Sequence, residues 1–178
     1  RKAGSGWMMG RRADQWATAR NLTASFAAGV LIASVSLIAF SLIGIEEGYA
    51  MNAFRRFFPA ADSASPWIVI PVASLSLSVY AISEELLFRG GLLAVVIRTC
   101  GDRPVVRYLG IIALNLVWAL AHIPNTDTPY VKVIQIFITG IILVAITRRI
   151  GLRNAIAAHI GLNVTCVIIP YLWEWIYG

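Results

Sequence analysis

The chain is poor in the residues on which most soluble enzymes and small secreted domains rely. Only two cysteines, Cys100 and Cys166, occur in 178 residues. Their number and spacing exclude a disulfide framework and a zinc–thiolate site. No Gly-x-Ser-x-Gly elbow is present, and Cys166 lies seven residues beyond His159, two helical turns away. A Ser–His–acid or Cys–His nucleophile therefore finds no support. The metalloprotease signature His-Glu-x-x-His is also missing. There is no internal repeat and no low-complexity tract. Charge is scarce at 13%, and acids (9) are fewer than bases (15), for a net charge of +6. The arginines stand beside apolar stretches, so this excess reads as topology and contact with anionic lipid. Nucleic-acid recognition is not expected.

What fills the chain is apolar. Hydrophobic residues make up 58% and the mean hydropathy is +0.74, far outside soluble composition. The long uniform runs exclude the alternating polarity of a barrel. The expectation is one all-α, multi-pass transmembrane helical bundle, since helices satisfy their own backbone in lipid. About five spans are predicted, at 22–45, 67–98, 105–123, 130–147 and 152–171, with a short interfacial helix at 50–58. Three regions follow: a basic juxtamembrane segment at 1–21, an N-terminal transmembrane and interfacial pair at 22–65, and a core at 66–178. Ser65 is placed to cap the second span and Pro66 to open it. That span is longer than the ~30 Å hydrocarbon core, so it either tilts and protrudes or breaks at Gly90-Gly91. Arg1 is not an initiator residue, which implies a fragment or processed form. The basic stretches 1–20, 98–107 and 148–153 fall on one side by the positive-inside rule, and the expectation is a cytoplasmic N-terminus.

The second span carries Glu84-Glu85-Leu86-Leu87-Phe88-Arg89-Gly90, with no charge at 67–79 or 91–97. A charge there costs roughly 2.5–3.5 kcal/mol on insertion scales and turns to a protein interior or wet cavity. Glu85 and Arg89 lie about 40° apart on a helix and can pair, whereas Glu84 points about 100° away. One carboxylate is neutralised and the other left available. Both histidines fall in spans. Counting ~1.5 Å per residue, Glu84 lies roughly 21 Å from Arg98 and His122 roughly 22 Å from Arg107, the same depth in a hairpin. His159 and Asn163 share a helix face and reach that level if the Arg98–Arg107 turn protrudes by some 10 Å. A carboxylate beside a neutral imidazole can take a proton from water, and a second His with an Asn amide can donate to a developing oxyanion. Together they are equipment for peptide hydrolysis without a covalent intermediate. The set Glu84, His122 and His159 is also a reasonable zinc triad. Trp118, one turn before His122, reads as packing. Ser83, Tyr80 and Asn115 read as interhelical contacts, Asn125 and Asp127 as loop residues, and Glu46-Glu47 as a solvated span end.

These motifs, in this order, resemble the CPBP family of CAAX-processing and bacteriocin-processing intramembrane proteases, which includes the Ras-converting-enzyme-type endopeptidases. Glu84-Glu85-Leu86-Leu87-Phe88-Arg89 matches Glu-Glu-x-x-x-Arg, and His159-Ile160-Gly161-Leu162-Asn163 matches His-x-x-x-Asn. The middle motif, Phe-x-x-x-His, departs, with Trp118 in the Phe position ahead of His122. The likeness covers about residues 66–170. It implies that Glu84 activates water with help from His122, that His159 and Asn163 hold the oxyanion, and that Glu85 and Arg89 orient the site.

The resulting expectation is an integral membrane endopeptidase, in a bacterial plasma membrane, acting on a membrane-associated protein or peptide. No cofactor is expected, with zinc on Glu84, His122 and His159 as the alternative. Two other functions compete: a non-catalytic scaffold or immunity protein of the same fold, as some members of the resembled family are, and a proton or ion pathway. Against the last, the span at 22–45 carries only Ser and Thr as polar side chains.

Overall fold

The computed structural model describes residues 19–44, 65–123 and 129–177. Glu46-Glu47, the predicted interfacial helix at 50–58 and the loop with Asn125 and Asp127 lie outside the described residues. Five helices follow in order: α1 (Ala19–Leu42), α2 (Pro66–Cys100), α3 (Pro104–Leu120), α4 (Pro129–Ile150) and α5 (Leu152–Tyr177). Among the described residues there is no strand. Helices α1, α2, α4 and α5 are long and apolar enough to cross a membrane, and α3, with 17 residues, is shorter. The chain is an integral membrane protein.

Local sequence sets the helix ends. Pro66 and Pro104 open α2 and α3 at first-turn positions, where the missing N–H costs nothing. Ser65 departs from expectation. Its hydroxyl makes no capping bond, and its carbonyl instead accepts from Ile68 and Val69 at 2.9 and 3.1 Å. Helices α4 and α5 are joined by Gly151 alone, at φ 103°, a left-handed turn that a side chain would disfavour.

α2 neither stops nor bends out at Gly90-Gly91. It runs 35 residues, about 50 Å at helical rise, and over Glu85–Leu92 its ladder becomes π-helical. Its buried positions recur every fourth residue, at Val69, Ala73, Ala81, Glu85, Arg89 and Leu93, with Leu77 half-buried in the same series and Ala94 buried beside its end. On an α-helix a four-residue repeat drifts about 40° per step. The π turns take in more residues per turn and take back part of that drift.

Three apolar clusters bracket the site. Val69 and Ala73 of α2 pack on Val167 of α5. Leu93 of α2 packs on Ile111 of α3 and Val144 of α4. Between them, Trp118 and Ala119 of α3, Ile136 and Leu143 of α4, and Ala155 and Ala158 of α5 form the central cluster, with Phe88 against it. Most remaining large apolar side chains, such as Leu31, Trp67, Leu75 and Ile134, are exposed on the outer faces, as lipid contact requires.

The largest interface is α1 on α5, and small residues make it. α1 buries Ser25, Gly29, Ala33 and Leu37, again every fourth residue. Gly29 lies against the backbone of Ala158 and Leu162, and Gly161 against the backbone of Phe26. The Ser25 hydroxyl donates to Asn154 Oδ1 at 3.1 Å. Close approach through small residues is the usual way helices associate where lipid removes the hydrophobic incentive. Glu84 lies sixteen residues before the end of α2 and His159 seven after the start of α5. By rise alone the α2–α3 turn therefore extends roughly 10–15 Å past the α4–α5 link.

Candidate active site

Glu84 is the last residue of α2 before the π-helical stretch. Its carboxylate is partly exposed and faces both histidines. Oε1 stands 3.7 Å from His122 Nε2, and Oε2 stands 3.8 Å from His159 Nε2. These separations are longer than a direct hydrogen bond. His122 sits in the turn that closes α3 and His159 on the second turn of α5, so three helices supply the three groups.

The far side of each imidazole is also held. His122 Nδ1 lies 2.8 Å from the Trp118 carbonyl. A carbonyl only accepts, so Nδ1 carries the proton and the neutral ring presents a bare Nε2 to Glu84. His159 Nδ1 lies 2.9 Å from Glu85 Oε1. That same oxygen accepts from an Arg89 terminal nitrogen at 3.0 Å, so His159 Nδ1 is a donor too. Glu85 and Arg89 are 0% and 1% exposed. The pair leaves Glu85 Oε2 and the other Arg89 terminal nitrogen, both buried, without hydrogen-bond partners. The i,i+4 pairing expected for Glu85 and Arg89 is present. The structure adds that the pair reaches across to α5 and sets the orientation of His159.

Asn163 is placed differently from the others. Its amide nitrogen donates to the Leu77 carbonyl at 3.1 Å, two turns before Glu84, so one N–H is committed to bracing α5 on α2 and the other is left over. Two of the residues read as interhelical contacts, Ser83 and Tyr80, depart from expectation, and Asn115 does not. Ser83 is exposed and bonds back to the Val79 carbonyl at 2.9 Å within its own helix, and Tyr80 is exposed as well. Asn115 is buried, with its amide on the Ile111 carbonyl at 2.8 Å and its Oδ1 against Gly140 of α4.

Trp118 is more than packing. Its indole N–H donates to Glu84 Oε2 at 3.2 Å. Its ring meets His122 and His159 edge-on, with centroids 5.2 and 5.7 Å apart, and Arg89 Cζ lies 4.0 Å over its face. The sequence signal was the substitution in the middle motif, which exchanges a ring without a donor for one that has a donor.

Among the described residues, no three His, Cys, Asp or Glu side chains are disposed to hold a metal ion. Glu84, His122 and His159, as placed, are not such a group, and the chemistry proposed for them uses their own protons and lone pairs.

No curated protein and no solved structure matches the chain. The model of one family does, over residues 65–165, a stretch holding every group of the cluster just described. By that match the chain belongs to the Rce1-like family of type II CAAX prenyl endopeptidases.

Proposed function

We propose that the protein is an intramembrane endopeptidase that hydrolyses a peptide bond of a membrane-associated protein or peptide, with water activated by Glu84 and His122. The observation that carries this reading is the opposition of Glu84 Oε1 and His122 Nε2 across 3.7 Å. A water about 2.8 Å from each sits roughly 2 Å to one side of the line between them, offering one hydrogen to the carboxylate and one to the bare imidazole nitrogen. As its oxygen attacks the scissile carbonyl, its proton passes to Glu84 or His122 and later to the departing amine.

The carbonyl oxygen becomes an oxyanion and needs donors. Asn163 has one N–H beyond that used on Leu77. His159 donates from Nε2 only as an imidazolium, because Nδ1 is spent on Glu85. Preorganised donors of this kind are each worth about 10²–10³ in rate. Arg89 balances Glu85, so His159 is oriented by a carboxylate that is itself held.

The test compares protein termini in native membranes carrying wild type or Glu84→Gln, with both proteins inserted in equal amounts. The expected result is a set of new termini formed only with Glu84, which also names the substrates. Identical termini in the two membranes would sink the proposal.

A further inference from the structure

Trp118 is clamped on every side except at its one polar atom. It is 2% exposed. Behind it lies Gly140 of α4, where even a Cβ would stand 2.9 and 3.0 Å from ring atoms Cε3 and Cζ3. The Arg89 guanidinium covers one face at 4.0 Å, both imidazoles press edge-on, and Phe88 adds a tilted ring contact at 6.4 Å. A ring so confined has no freedom to seek a partner, and its N–H points at Glu84 Oε2, 3.2 Å away. An indole nitrogen donates and never accepts, so this contact has one sense only.

We propose that Trp118 is a positioning residue for Glu84: its N–H holds Oε2 and leaves Oε1, the oxygen facing His122, to meet the attacking water. The inference rests on the endopeptidase reading given above. A carboxylate is two-fold about its last torsion, and that torsion is soft. Three groups surround the Glu84 carboxylate, and the two imidazole nitrogens stand 3.7 and 3.8 Å away, beyond a direct hydrogen bond. Among the described residues the indole is then the one side-chain donor that tells the two oxygens apart. Without it the group turns toward either histidine, and the geometry in which Oε1 and His122 share a water is one arrangement among several. Placement errors of about 1 Å at a reacting centre cost on the order of 10² in rate.

The test removes the N–H and keeps the shape. 3-Benzothienylalanine is introduced at position 118 by stop-codon suppression, putting sulfur in place of N–H in the same two-ring outline, and Trp118→Phe is made beside it. Cleavage is measured on a substrate identified from the Glu84-dependent termini. Both variants are expected to lose about 10- to 100-fold in kcat, the range for one hydrogen bond to a charged group, with KM unmoved. A benzothienyl protein with wild-type kcat would mean that the ring only fills space, and would overturn the inference alone. Ultraviolet resonance Raman supplies a second readout that needs no substrate. The wild-type minus Trp118→Phe difference should show a hydrogen-bonded indole N–H that becomes free in Glu84→Leu, and a free N–H in wild type overturns the inference. If no termini depend on Glu84, the endopeptidase reading itself fails, and the inference with it.

Discussion

The contact between α1 and α5 can be tested with one carbon atom. A Cβ on Gly29 would lie 2.7 Å from the Ala158 carbonyl carbon and 2.8 Å from the Leu162 nitrogen, with the Ala158 oxygen nearer still. Carbon needs about 3.5–4.0 Å, and all three obstacles are backbone, so the helices must part by about 1 Å. Overpacking of this sort costs about 1–3 kcal/mol. The displaced residue, Ala158, immediately precedes His159, whose 2.9 Å bond to Glu85 does not survive a shift of that size. Gly29→Ala should therefore lower thermal stability in detergent micelles and reduce Glu84-dependent cleavage by about 10²-fold, with Gly29→Leu worse on both counts. Gly91→Ala is the control, because its nearest new neighbour is the Leu86 carbonyl at an ordinary 3.7 Å. If Gly29→Ala behaves like Gly91→Ala, the two helices do not approach as closely as described, and α1 has no hold on His159.

Two further outcomes are expected. Arg89→Met leaves the Glu85 carboxylate buried with its countercharge gone, and loss of one partner of a buried pair costs about 3–5 kcal/mol. In thermal unfolding the double change Arg89→Met with Glu85→Gln should recover much of that loss, and a single change as stable as wild type would refute the buried pairing. Treating detergent-solubilised protein with 1,10-phenanthroline should leave Glu84-dependent cleavage intact. Inhibition reversed by added zinc would restore the metal alternative.

The helices are legible because lipid makes composition speak: apolar runs of spanning length, ended by Arg, Pro and Gly, leave few other folds. The meeting of Glu84 with His122 and His159 is legible too, because rise per residue turns sequence distance into depth, and three side chains at one depth in a narrow bundle have little room to miss. Direction is harder. Asn163 shares a face with His159, yet its amide turns to a backbone carbonyl of α2, since the second lone pair of a main-chain acceptor in range competes with any site. Ser83 and Tyr80, read as interhelical contacts, face outward, because the seam of α2 follows a four-residue repeat that passes through Ala81 and Glu85 instead. Trp118 was read by volume, and volume says nothing of an N–H. The same four-residue spacing of Ser25, Gly29 and Ala33 stood in plain sight and marks the face of α1 that another helix touches.

The π-helical stretch gives the length of α2 a meaning of its own. Glu84 lies just before Glu85–Leu92, and Leu93, seated between Ile111 and Val144, lies just after. Removing one residue from that stretch would let the ladder relax toward α, and the loss of the wider π turns would offset much of the ~100° that a deletion swings in a plain α-helix, so Leu93 keeps near its seat while Glu84 stays opposite His122. The residue count between those two anchors is thus less strict than the identity of either, because the stretch can trade π turns for α turns. Relatives of this chain should accept a one-residue deletion within this stretch more readily than one elsewhere in α2.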